Sequence, residues 1–135
     1  MVTPVDRVQE ALDVPLHRWL DLELAESGDP RSGVVLQVRG PYLDQAGLLH
    51  GGLLTALLDV AASLRLLPEL GEGEGAVTHS SSVSLLRPVP EGARLLLRAD
   101  LLGKDRRMAY LRCAAAVAGE PVAMGQVTMA LVPRP

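Results

Sequence analysis

One stretch has the residue types and spacing for chemistry: His50-Gly51-Gly52-Leu53-Leu54-Thr55-Ala56-Leu57-Leu58-Asp59. The apolar run after Gly51 predicts a helix, so the glycines fall at its N-terminus and a carboxylate sits two turns in. The first N–H groups of a helix lack intrahelical partners and carry partial positive charge. Glycine lets a ligand approach those donors closely. A developing oxyanion is stabilised by donors of that kind. Asp59 lies in the most apolar segment of the chain, where an unpaired buried carboxylate would be costly. Thr55, Asp59 and Ser63 recur at spacing four and share one polar stripe. Asp59 therefore faces a water-filled seam between subunits, bonds to Thr55, or is held for function. His50 either caps and packs, or supports the Gly51 loop and meets a substrate.

A second group is Thr78, His79, Ser80, Ser81, Ser82 and Ser84, a run polar for a strand. It reads either as a solvated sheet face or as a polar wall near Asp59. Arg87, Arg106 and Arg107 fall at strand ends beside turns. Each alone serves solubility; together they could grip a phosphorylated tail through paired N–H donors. No Walker-type phosphate loop and no dinucleotide glycine fingerprint occurs. Cys113 is the only cysteine and the histidines are scattered, which argues against a disulfide or a metal centre.

The elements that must position these groups follow from periodicity and punctuation. Pro4 to Leu12 predicts a short amphipathic helix, with Val5, Val8 and Leu12 on one face and Asp6 and Glu10 outside it; Pro15 ends that segment. His17 to Glu26 alternates apolar and polar residues and predicts a strand. Ser27-Gly28-Asp29-Pro30 is a turn, and Gly33 to Gly40 a second strand completing a hairpin. Gly51 to Leu67 predicts the one long helix, apolar on nearly every face and therefore wrapped by protein. Pro68 stops it. Strands are expected over Ala76 to Leu86, Ala93 to Leu102, Arg106 to Ala118 and Val122 to Val132, with short turns marking antiparallel neighbours. Five or six strands leave the helix partly exposed at this length, so a second subunit is expected to complete its burial.

The chain has 135 residues, suited to one domain over 1–135 with an N-terminal helical segment at 1–15. Apolar residues make up 48% but aromatics only 2%; Phe, Ile and Asn are absent and Lys104 is the sole lysine. That pattern fits a G+C-rich genome. A mean hydropathy of +0.22 and 21% charged residues exclude a charge-dominated disordered chain. A net charge of -3 without basic or aromatic clusters makes nucleic acid a poor partner. The longest apolar run, Leu48 to Leu67, is broken by His50, Asp59 and Arg65, so no membrane partner is expected. An acidic N-terminus fits no signal peptide, and a cytoplasmic location is inferred.

With those residues in view, the chain resembles the hotdog-fold acyl-CoA thioesterases, in particular their phenylacetate-pathway (PaaI-like) group. The shared pattern is His-Gly-Gly, six residues, Asp, then Ala two positions on: His50-Gly51-Gly52 through Asp59-Val60-Ala61. A second element is the strand from Thr78 to Leu86-Arg87-Pro88-Val89, before a turn at Gly92. The resemblance covers roughly Gly33 to Val132. It implies an α+β hotdog fold, a long central helix wrapped by a curved antiparallel sheet. It also implies a homodimer with sites at the subunit seam, commonly paired into a homotetramer. Asp59 takes the role of nucleophile or general base, the Gly51 N–H polarises the thioester carbonyl, His50 and Gly52 complete the motif, and Thr78 orients the water or the carboxylate. The substrate is an acyl-CoA, with a small to medium or aromatic acyl group, and no separate cofactor is needed.

Two positions depart from the family pattern. Six residues before the motif histidine the family often has Asn; here Asp44 stands there, next to Gln45. Either Asp44 does the task as a carboxylate, or Gln45 supplies the amide, or the activity is shifted. Ser80 occupies a position that is often acidic. An acyl-thioester-binding module without turnover and a purely structural dimerisation domain are the competing readings.

Overall fold

The apolar run from Gly51 becomes the core helix, and the rest of the chain is arranged to cover it. The computed structural model describes residues 4–134. The elements in chain order are α1 (Pro4–Leu12), α2 (Pro15–Leu20), β1 (Glu23–Leu24), β2 (Val34–Gln37), α3 (Gly51–Leu66), β3 (Glu74–Leu85), β4 (Arg94–Lys104), β5 (Met108–Val117) and β6 (Glu120–Pro133). Helix α1 has the expected bounds; the Val5 and Asp6 side chains lie outside the described residues. Val8 is fully buried, and the Arg7 guanidinium donates to the carbonyls of Gly71 (3.1 Å) and Glu74 (2.7 Å), tying α1 to the start of β3.

The strand expected from His17 to Glu26 is helix as far as Leu20 and strand only at Glu23 and Leu24. Pro15 begins α2 rather than closing a helical segment at 15, because a proline at the first helical position is preset for it. Leu16, Trp19 and Leu20 also fit helical spacing, and among them only Leu20 is buried. The helix ends at Asp21 in the left-handed region (φ 56°), and strand pairing is confined to Glu23 and Leu24 against Val35 and Val34.

The six strands form one antiparallel sheet in the order β1-β2-β4-β5-β6-β3. The short turns mark neighbours for β4, β5 and β6, as expected. The turn at Pro90-Glu91-Gly92 does not: it links β3, on one edge, to β4, which pairs with β2. The linking segment crosses the end of the sheet with Val89 buried beneath it, so turn chemistry marked a reversal without naming the neighbour.

The sheet curls around α3. Leu54, Leu57, Leu58, Ala61, Ala62, Leu64 and Leu66 are buried against it, together with Leu95, Leu97, Leu111, Val127 and Met129 from the strands. By length and hydropathy alone Gly51–Glu69 could cross a membrane; here this stretch is the wrapped core element. Strand β3 sits at the sheet edge and is exposed over most of its length.

Its register contains one irregularity. Thr78 pairs with Met129, but Ser80 pairs with Thr128, so β3 carries one extra residue at His79. Such a bulge changes which side chains face inward. Below it Thr78 shares a face with buried Met129; above it Ser81 and Leu85 share a face with buried Val127 and Ala123.

Candidate active site

The site is organised by the two ends of the first half of α3. At the N-terminus, His50 is the cap residue, and its Nδ1 accepts the Gly52 N–H at 2.9 Å. That bond requires an unprotonated Nδ1, so the neutral ring carries its proton on Nε2. The Leu54 N–H bonds to the His50 carbonyl at 3.0 Å. Among the described residues the Gly51 N–H meets no acceptor, so it is free to donate outward. A Cβ on Gly51 would lie 2.9 Å from Leu85 Cδ1, the flexible end of a side chain. The close approach at Gly51 is thus to a movable group.

Two turns along, Asp59 is half-buried. Thr78 Oγ1 donates to Asp59 Oδ1 at 2.6 Å. Thr55 does not bond to Asp59; its hydroxyl donates to the Gly51 carbonyl at 3.0 Å. The Ser63 hydroxyl faces Met129 Sδ at 3.9 Å. The polar stripe on α3 is therefore divided among three separate partners. Cys113, fully buried, has its thiol pushed up to about 12 by burial first and by the charges of Asp59 and Asp100. The thiol is therefore held in its protonated form at neutral pH, which makes it a poor nucleophile.

The segment before α3 is a tight loop. Asp44 Oδ1 accepts the N–H groups of Ala46 (2.8 Å) and Leu48 (3.1 Å), and the Asp44 N–H donates to the Leu48 carbonyl at 2.7 Å. Asp44 is exposed and has one structural task, holding this loop. It lines two clefts: one of about 330 Å³ running past Gly51 to Leu85 and Arg87, and a shallower one of about 790 Å³ shared with Gln45 and His50. Gln45 and Ser80 are exposed, with no side-chain hydrogen bond among the described residues.

The three arginines are not brought together within one subunit. Arg87 lies past the end of β3, donating to the Pro121 carbonyl at 2.5 Å, with Glu120 3.7 Å away. Arg106 and Arg107 lie at the β4–β5 turn, beside the start of β3, in a cleft of about 540 Å³ shared with Glu74, Lys104 and Asp105. Strand β3 separates these corners by its whole length, 12 residues, or about 40 Å of extended chain. The resemblance had already set Thr78 beside the Asp59 carboxylate, as the structure has it, and left Leu85 out. Its signal was available as an apolar residue in the polar strand, but the bulge hid its direction.

The comparisons agree with the fold. Residues 38–130 match the family described as "Acyl-CoA thioesterase N-terminal domain". A mutant form of the phenylacetic acid degradation protein PaaI from Thermus thermophilus is 31% identical, with 87% of this chain and 98% of that one covered and a TM-score of 0.77. A conserved Pseudomonas aeruginosa protein is 25% identical over 92% of this chain and 98% of that one, with a TM-score of 0.82. A hypothetical thioesterase from Streptococcus pneumoniae, solved with coenzyme A, shares the fold at 22% identity, with 84% of this chain and 90% of that one covered and a TM-score of 0.74. No curated protein matches the chain. A helix N-terminus with a free donor, a carboxylate two turns on, and a sheet wrapped around both are thus joined to a family match over most of the chain: the protein belongs to the hotdog-fold acyl-CoA thioesterases, a family of thioester hydrolases, and to their PaaI-like group.

Proposed function

We propose that the protein hydrolyses acyl-CoA thioesters at a site shared between two subunits. The observation that carries this is the spacing along α3. Gly51 and Asp59 are eight residues apart, about 12 Å of helix rise. A carbonyl polarised by one group and attacked at about 3 Å under the control of the other cannot be reached by both within one subunit. A second copy supplies the missing half. The free edge of β3 favours antiparallel pairing with its copy, which sets the Thr78 end of one strand against the Leu85 end of the other. Leu85 meets Gly51, so Asp59 of one subunit comes near the partner's Gly51.

In this site the Gly51 N–H stabilises the developing oxyanion. Asp59, held by Thr78, acts as nucleophile or as general base for water. His50 keeps the Gly52 N–H occupied, and Asp44 shapes the loop beside the cleft. Gln45 and Ser80 border the acyl or pantetheine path. The chemistry needs no metal or separate cofactor. The cleft walls are Leu and Val, suited to a small to medium or aromatic acyl group. Dimer formation also supports the arginines: antiparallel β3 pairing brings Arg106 and Arg107 of one subunit toward the partner's Arg87, where together they would hold the phosphates of CoA. A homotetramer of such dimers in the cytoplasm, each subunit one domain, completes the reading.

One observation favours a second reading, a module that binds acyl-CoA without turnover. Asp44 Oδ1 is already taken by two backbone N–H groups, and a carboxylate cannot donate to a thioester carbonyl as an amide can. A thiol-release assay across short, long and aromatic acyl-CoAs decides between them. Turnover that is lost in Asp59→Asn supports hydrolysis; ligand-dependent stabilisation with no thiol release supports the binding module.

A further inference from the structure

Helix α2 lies outside the region matched by the family, residues 38–130, yet it touches the loop that carries the Gly51 donor. The link is Tyr42, the largest fully buried side chain among the described residues. Its hydroxyl donates to the Trp19 carbonyl, at the end of α2, at 2.8 Å. The same hydroxyl accepts from Arg39 Nε at 2.8 Å, and a second nitrogen of that guanidinium also donates to the Trp19 carbonyl. The Trp19 ring packs edge-on against the Tyr42 ring, with centroids 4.9 Å apart. On its main chain, Tyr42 accepts the His50 N–H at 2.9 Å, and His50 in turn caps Gly52. The loop from Tyr42 to His50 is thereby closed at its base, and the first turn of α3 begins at that closure.

We propose that Tyr42 is a positioning residue for the Gly51 donor, clamped from the N-terminal side by Trp19 and Arg39. The physical reason is that the Gly51 N–H is aimed by the residue before it. His50 has its N–H fixed by Tyr42 and its side chain fixed by Gly52, so Gly51 has little freedom between them. The Tyr42 N–H is held by the Arg39 carbonyl at 3.0 Å, its ring lies in the core against Trp19, and its hydroxyl is held by α2 and the Arg39 side chain. The carboxylate at Asp59 is two turns away and has its own partner on β3, so it is independent of the clamp. This inference rests on the oxyanion role proposed for Gly51.

The test is steady-state kinetics of Tyr42→Phe, which keeps the buried ring and removes both hydroxyl bonds. Misdirected donors cost rate more than binding. The expected result is kcat lowered by about tenfold with KM for the acyl-CoA within about twofold, together with faster hydrogen exchange at the His50 and Gly52 amides. The exposed variants Trp19→Ala and Arg39→Gln should shift the same quantities in the same direction, and they test the clamp if Tyr42→Phe does not fold. A kcat unchanged in all three would overturn the proposal. Asp59→Asn is measured alongside. If it retains full turnover, the site reading itself fails; if it is inactive while the clamp variants match the parent, only this inference falls.

Discussion

Thr78 Oγ1 and Asp59 Oδ1 lie 2.6 Å apart, joining the edge strand to the middle of the core helix. This is a short O–H···O⁻ contact of the charge-assisted kind. It leaves the other carboxylate oxygen of Asp59 without a hydrogen-bond partner among the described residues, as the proposed mechanism requires. Replacing the carboxylate by an amide should remove most turnover, by about a hundredfold or more, because a general base or nucleophile is lost. Thr78→Val should keep the strand and lower kcat by about tenfold, since only the orientation of Asp59 is lost. Thiol release by the two purified variants, with circular dichroism to show the fold is kept, checks both.

Gly51→Ala separates crowding by the protein from crowding by the ligand. The added methyl would meet only Leu85 Cδ1, which can rotate away. The variant should melt within a few degrees of the parent. If a thioester carbonyl approaches the Gly51 N–H, kcat/KM should nevertheless fall about tenfold or more, because the methyl occupies that approach. Equal activity would place the donor elsewhere.

Gly125 on β6 is the opposite case. A Cβ there would lie 2.5 Å from the Ser82 carbonyl and 3.2 Å from Val83 Cα, backbone that cannot move alone. Gly125→Ala should force β3 away from β6 and cost about 1–3 kcal/mol of stability. Chemical denaturation measures this directly. Activity should fall as well, because Thr78 is carried on the displaced strand.

Two carboxylates give the stability a defined acid limb. The hydrogen bond from Lys104, at 3.0 Å, and that from the Gly71 N–H hold Glu74 below the usual carboxylate range. Burial pushes Glu69 up, but the hydrogen bonds and charges of Arg31 and Arg65 outweigh it and leave it lowered. A folded-state value below the unfolded one means the stabilisation is present above about pH 4.3 and is lost as pH falls through the folded value. Glu74→Gln should therefore melt about 2–4 °C below the parent at pH 7 and converge with it in strong acid. Melting scans across pH 2–7 test the sign.

Cys113 should be inert in the folded protein. Its thiol is held up at about 12 and its side chain is buried, so almost no thiolate is present at neutral pH. A thiol-specific reagent should label it only after unfolding in guanidinium. Rapid labelling of the native protein would contradict the packing of β5 under α3.

How much of this was legible in the sequence varied with the kind of contact. Helices α1 and α3 could be read to within a residue, because Pro4, Gly51 and Pro68 mark their ends and apolar spacing fills them. Helix α2 was misread because Trp19, Leu20, Leu22 and Leu24 alternate across a helix end: the first two belong to α2 and the others to the chain leaving it. The place of β3 could not be read at all. Local turn residues report where a chain reverses, whereas β3 pairs with β6, from Leu85 against Ala123 to Glu74 against Pro133, far along the chain. From the residues alone Asp59 stood out as a carboxylate among leucines and Thr78 as a hydroxyl in a polar strand; it was the family resemblance that joined them. Their bond depends on how the sheet curls, which no spacing in the sequence expresses.

The extra residue at His79 has a consequence for how this site could change. Thr78 and Leu85 are seven positions apart, an odd number, and in a regular strand they would look to opposite sides. One supernumerary residue lets the same strand serve the carboxylate at one place and the glycine end of the helix at another. A deletion of a single residue here would be a shift of frame rather than a local loss. The strand would then have to give up either its hydroxyl on Asp59 or its apolar wall at Gly51.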